Sequence, residues 1–103
     1  MKQFLIKYRF TKGTSEEWHR EIARFIANLD SDPQLRGRIS YRCMKNAADS
    51  DYYHLARAAD DQAPKDLQQR DWFHQYQEKT RRVSGGQVEV VPLEVIGETA
   101  APA

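Results

Sequence analysis

From residue 4 to residue 10 the chain reads FLIKYRF. Phe4, Ile6, Tyr8 and Phe10 alternate with Leu5, Lys7 and Arg9, which is the period of a strand with one strongly apolar face. TKGTSEE follows at once. Gly13 offers a turn, and Thr14 stands three residues before Glu17, the capping-box spacing in which each side chain can satisfy a free backbone N–H at a helix start. A strand that passes through a short turn into a helix starting near Ser15 sets the frame for everything after it.

Trp18, Ile22, Phe25, Ile26 and Leu29 then recur at helical spacing, with Glu16, Glu17, Arg20, Glu21 and Arg24 on the far side, so this helix docks by one face. SDPQLRG ends it, because Pro33 cannot continue a helix and Gly37 favours a turn. Two strands are expected next, Arg38 to Lys45 and Asp51 to Ala59, with NAADSD as the hairpin loop between them. DDQAPKD opens a second helix, with Pro64 suited to the first turn and aspartates near the positive N-terminal end, and the helix is expected to run to about Val83. SGGQ stops it. VEVVPLEVI reads as a last β-branched strand, and Pro92 within it points to an edge or a bulge, since proline donates no ladder hydrogen bond.

The order is β-α-β-β-α-β: an α+β, ferredoxin-like βαββαβ domain with a four-stranded antiparallel sheet and two helices on one face. Residues 1 to 98 form this single domain and residues 99 to 103 a mobile C-terminal tail. The other sheet face would expose Leu5, Met44 and part of the last strand, and pairing it with a second copy makes a homodimer the natural expectation.

Composition narrows the function classes. Sixteen Lys and Arg against fifteen Asp and Glu give a net charge of +1, which lacks the basic excess of a general nucleic-acid binder. Cys43 is the one cysteine, so neither an intramolecular disulfide nor a cysteine-rich zinc site is expected. The start, MKQFLIKYRF, alternates instead of forming a continuous apolar run, so a soluble, cytoplasmic protein with no membrane partner is expected.

The order of elements, with FTKGTSEEW closing the first strand, LRGRISYRC after the first helix and WFHQY before GGQVEVVPLEV, resembles the dimeric α+β barrel superfamily. Within it the chain is similar to the antibiotic-biosynthesis-monooxygenase-like proteins, over about residues 3 to 98. The resemblance implies a homodimer whose two sheets form a barrel, with a pocket between helices and sheet in each subunit. Members include cofactor-independent oxygenases of aromatic polyketides and quinols, haem-degrading enzymes and isomerases. Relatives often carry a His followed by Phe and a later aromatic in the second helix. Here the run reads Trp72, Phe73 and Tyr76, so a role for that His does not carry over. The haem-degrading relatives use an Asn on the first strand, and this strand has none.

At 100° per residue, Trp72, Phe73, Tyr76, Thr80 and Val83 fall within an arc roughly 100° wide. His74 points the other way, with Glu78 four residues on, and is expected in solvent. An axial haem ligand would have to face the sheet, and a three-His metal site would need His19 on the first helix and His54 on a strand to converge, so neither haem nor metal is expected, and the resemblance to cofactor-independent oxygenases implies no other cofactor. If the apolar face of each strand turns toward the helices, Tyr8, Tyr41 and Tyr53 join Tyr76 and Trp72 in one layer. Arg57 shares the parity of Tyr53. Buried phenol hydroxyls need hydrogen-bond partners, so this layer is either an aromatic core or a pocket orienting a flat phenolic or quinone-like ligand, with Arg57 stabilising a phenolate or enolate. A rival anion site lies on the other parity, where Lys7, Arg9, Arg38 and Arg42 gather with His54 and Tyr52. Its alternative is pairing across the dimer with acids such as Glu89 or Glu94, or exposure at strand ends.

The expected function is that of a cofactor-independent monooxygenase-like protein acting on a small aromatic or polyketide-like molecule. The alternatives are a non-catalytic small-molecule-binding or accessory dimer, and an isomerase or cyclase working by proton transfer.

Overall fold

The computed structural model describes residues 2–100; residues 101–103 of the expected tail and Met1 lie outside the described residues. Four strands, β1 (Lys2–Arg9), β2 (Ile39–Lys45), β3 (Asp51–Ala58) and β4 (Val88–Leu93), form one antiparallel sheet in the order β2-β3-β1-β4. Three helices accompany them: α1 (Ser15–Ser31), α2 (Gln62–Leu67) and α3 (Asp71–Val83). The βαββαβ ferredoxin-like arrangement is therefore observed, with Pro92 on an edge strand, where its missing N–H leaves no gap inside the sheet.

Local chemistry starts and stops the helices as their sequences suggest. Thr14 accepts the N–H of Glu17 at the start of α1 at 3.3 Å. At the end of α3, Gly86 N–H donates to the Arg81 carbonyl at 2.7 Å while Gly85 takes φ +67°, a Schellman ending that needs a left-handed residue and so favours glycine. Thr11 N–H reaches the Val83 carbonyl at 2.7 Å, which ties the end of β1 to the end of α3.

The expected single second helix is two. Asp60 caps α2 through the N–H groups of Gln62 and Ala63, and the chain then leaves helical geometry at Arg70, whose ψ is 124°. Extended there, Arg70 carries its guanidinium to Asp32 at 2.6 Å and to Gln34 at 2.6 Å on the segment after α1. His74 is exposed, as its place on the wheel predicts, but it donates from Nε2 to the Gln68 carbonyl at 2.6 Å; Glu78 pairs with Arg81 instead. Periodicity misses this break because Gln68, Gln69 and Arg70 are ordinary helix formers, and the cause is a tertiary ion pair.

The core lies between the sheet and α1 and α3. Trp18, Phe25 and Leu29 of α1 meet Phe73, Tyr76 and Thr80 of α3, with Leu35 fully enclosed beside them. Tyr76 stacks on Phe25 at 4.0 Å between centroids and on Trp18 at 5.7 Å. Rings of this size bury on the order of 150–250 Å² each, worth up to about 4–6 kcal/mol at ~25 cal/mol/Å². Lys79 of α3 also bonds Glu21 of α1 at 2.7 Å across their outer edges. On the opposite sheet face Met44 and Leu93 are exposed, and Leu5, Leu55 and Val91 are half-buried. No helix among the described residues is long and apolar enough to cross a membrane.

Candidate functional site

The register corrects the expected faces of β3. His54 lies opposite Ile6 and Cys43, Tyr52 opposite Tyr8, and Ala56 opposite Phe4 and Tyr41, so the even-numbered residues of β3 face the helices. Tyr53, Leu55 and Arg57 take the other face, with Lys7 and Leu5. Leu55 draws a pattern reading toward the odd set; the structure instead turns the small side chains Ala56 and Ala58 inward, and their size leaves space under α2 and α3.

That space is a cavity of about 450 Å³, within the range of small-molecule sites. Phe4, Ile6, Ile39, Phe73 and Val88 supply its apolar wall, Ala56 and Ala58 its floor, and Pro64 and Leu67 of α2, with Gln68 just after it, close one end. Gln77, Thr80 and Arg81 border it from α3. The wall contains no Asp, Glu or Lys among the described residues.

One corner is polar and built around His54, which is 1% exposed. Its Nε2 lies 2.9 Å from the Tyr8 hydroxyl, which in turn accepts the indole N–H of Trp18 at 2.8 Å. Its Nδ1 faces two phenols, Tyr76 at 3.3 Å and Tyr41 at 3.4 Å. His54, Tyr41 and Tyr76 reach the cavity; Tyr8 and Trp18 stand behind them. Burial pushes the His54 pKa down to about 4, so the ring is neutral near pH 7. Burial also raises the phenol pKa values of Tyr8, Tyr41 and Tyr76, which keeps these groups protonated, and it pushes the Cys43 thiol up to about 12. Such a corner can hydrogen-bond an oxygen of a flat guest whose rings lie against the aromatic wall.

The expected site residues are thus divided. Tyr41 and Tyr76 line the cavity, Tyr8 acts behind it, and Tyr53 lies on the opposite face. Trp72 is half-buried, packs at 5.8 Å from Phe25 and does not reach the cavity, because the restart of α3 turns it toward the segment after α1. Arg57 borders the cavity from the other parity, with its guanidinium 3.7 Å from Glu98. The rival basic cluster is not assembled: His54 belongs to the buried corner, and Tyr52 is buried with its hydroxyl 2.8 Å from His19 Nε2. Lys7 pairs with Glu89 and Arg9 with Asp51, while Arg38 lies just before β2 and bonds Asp60 and Asp66. Arg42 remains exposed on the open face. Among the described residues no group of three His, Cys, Asp or Glu could hold a metal ion. His54 is the cavity residue that face assignment put on the wrong side, and the run HLARA, with alanines at two and four residues after it, was its signal.

No protein-family model matches the chain, and no curated protein matches it. Solved structures do. SnoaB, a cofactor-independent oxygenase from Streptomyces nogalater, superposes with a TM-score of 0.73 at 16% identity, over 97% of this chain and 98% of that one. A dimeric ferredoxin-like protein of unknown function from Jannaschia sp. CCS1 gives 0.68 at 14% identity, over 92% and 100%. An antibiotic biosynthesis monooxygenase gives 0.67 at 9%, over 94% and 100%. The chain therefore shares the fold of these dimeric ferredoxin-like, monooxygenase-type proteins over almost its whole length. Fold alone does not fix chemistry.

Proposed function

We propose that the cavity binds a small, flat phenolic, quinol or polyketide-like molecule, and that the protein oxidises it with molecular oxygen without a bound cofactor. The observation that carries this reading is the buried corner at which the hydroxyls of Tyr41 and Tyr76 meet His54, beside an apolar wall of Phe4, Ile6, Ile39, Phe73 and Val88. The likeness in fold to a cofactor-independent oxygenase supports it. The phenols hydrogen-bond the substrate's oxygen as its activated methylene gives a proton to water at the cavity mouth, and the negative charge that develops on that oxygen is stabilised by those hydrogen bonds. The resulting carbanion is the reductant: it adds to oxygen to give a peroxide anion, which takes a proton back from water and, as the hydroperoxide, loses water to leave a carbonyl. The sum is R₂CH₂ + O₂ → R₂C=O + H₂O, in which the methylene carbon is oxidised and no other electron donor is consumed.

We also propose that a second copy covers the open sheet face carrying Met44 and Leu93, as the dimeric description of one structural neighbour supports.

A non-catalytic ligand-binding dimer is the second reading, and the absence of any carboxylate or lysine from the cavity wall among the described residues favours it. Oxygen uptake with anthrone, which carries the activated methylene, and binding of a series of quinols separate the two. Oxygenation predicts one O₂ consumed per substrate and a loss of about a hundredfold in Tyr76→Phe. Saturable binding with uptake equal to a protein-free blank supports the binder, and neither binding nor uptake removes both.

A further inference from the structure

We infer that Tyr8 and Trp18, neither of them on the cavity wall, fix His54 in the Nδ1–H tautomer and so leave the Tyr41–Tyr76 pair with a phenol hydrogen to donate into the cavity, which selects ligands that present a carbonyl or oxyanion oxygen. This rests on the cavity being a ligand site, and it names the ligand chemistry.

The argument is a count of hydrogens. A tyrosine hydroxyl has one hydrogen and two lone pairs, and an indole N–H only donates. Trp18 Nε1–H occupies one lone pair of Tyr8 at 2.8 Å. The hydrogen of Tyr8 then needs an acceptor, and the one within reach among the described residues is Nε2 of His54 at 2.9 Å. Nε2 must therefore be bare, and a neutral imidazole then carries its hydrogen on Nδ1. The other tautomer would place two donors on the Tyr8 oxygen and leave its buried hydrogen without a partner, which folded proteins avoid. Burial disfavours the doubly protonated ring as well.

Nδ1–H is shared between Tyr76 at 3.3 Å and Tyr41 at 3.4 Å, and both contacts are long, as a divided donor requires. Each phenol that accepts from Nδ1–H keeps its own hydrogen to give. Nearby, that hydrogen can go to the other phenol or to the Cys43 thiol, a weak acceptor beside Tyr76. The chain Trp18 to Tyr8 to His54 to the phenols runs in one direction and polarises each successive bond toward the cavity. A ligand oxygen completes it, whereas a ligand without an acceptor leaves a buried phenol hydrogen poorly paired.

Two measurements test this. Nitrogen-15 spectra of the protein, assigned with His19→Gln and His74→Gln variants, are expected to show His54 protonated at Nδ1 and bare at Nε2. Titration with 9-fluorenone, which only accepts, and carbazole, which only donates on the same three-ring frame, is expected to favour fluorenone by about 5- to 30-fold. In Tyr8→Phe, which keeps the ring but removes the hydroxyl, a form protonated at Nε2 is expected and the preference falls toward unity. A proton on Nε2 in the unsubstituted protein overturns the tautomer assignment without any ligand. Equal affinities beside a proton on Nδ1 overturn the selectivity. If neither ligand binds, the ligand site itself fails, whatever the spectra show.

Discussion

Replacing His54 by glutamine removes a buried titratable group while leaving a donor and an acceptor in its place, and the consequence for stability can be worked from its environment. His54 is 1% exposed and its pKa is pushed down to about 4 from an ordinary value of 6.5. Between these values the unfolded chain binds a proton that the folded protein refuses, so stability rises with pH there and falls as the solution is acidified. The contribution is complete above pH 6.5, erodes as pH falls and stops changing below about 4. With those two values the linkage relation gives a loss of about 2 kcal/mol between pH 7.5 and pH 5. At a slope of about 1–2 kcal/mol per molar urea, the unfolding midpoint should fall by about 1–2 M over that interval. Urea titrations followed by tryptophan fluorescence at half-unit pH steps would measure it. His54→Gln should be less stable at pH 7.5 but should lack this part of the slope. Parallel pH profiles for the two proteins would refute the burial argument, as would a His54 ring that titrates near 6.5 by NMR.

Other outcomes follow from the same contacts. At pH 8 the Cys43 thiol, pushed up to about 12, should react with an aromatic disulfide reagent at least about a hundredfold more slowly in the folded protein than in urea. Asp32 and Glu21 are held below the usual carboxylate range by Arg70 and Lys79, so their stabilisation is present above that range and is lost as pH falls below it through their lowered folded values. Acid unfolding should accordingly shift to higher pH in Arg70→Ala. Arg70→Ala should also raise the rate of proteolysis between Gln68 and Asp71, where the ion pair holds the helix break. If a second copy covers the open face, Met44→Asp should reduce the mass seen by sedimentation to that of one chain; an unchanged mass in both proteins would remove that proposal.

The fold was legible because β1, α1 and β4 each have a single dominant pattern. FLIKYRF alternates with one apolar face, Trp18 to Leu29 keeps a clean helical stripe, and the glycines at 85 and 86 meet the geometry of a helix end. β3 is different. Both of its faces carry a tyrosine, and its largest aliphatic residue, Leu55, belongs to the open face. Alternation shows that two faces exist, and only pairing with β1 and β2 decides which is inside. The same indecision hid His54 among the arginines of the rival cluster, whereas Tyr41 and Tyr76 lie on the helix-facing side of the sheet and the sheet-facing side of α3, because β2 and α3 have unambiguous faces. The break at Arg70 was out of reach for another reason: its cause is Asp32, thirty-eight residues earlier in the chain.

The measurement that bears most directly on the proposed activity is the fate of labelled oxygen. Metal-free protein given anthrone under ¹⁸O₂ should form the corresponding quinone with one labelled oxygen in the new carbonyl and the other in water, and Tyr76→Phe should form it about a hundredfold more slowly. Product that carries no label, or that forms at the same rate without protein, would contradict oxygenation in this cavity.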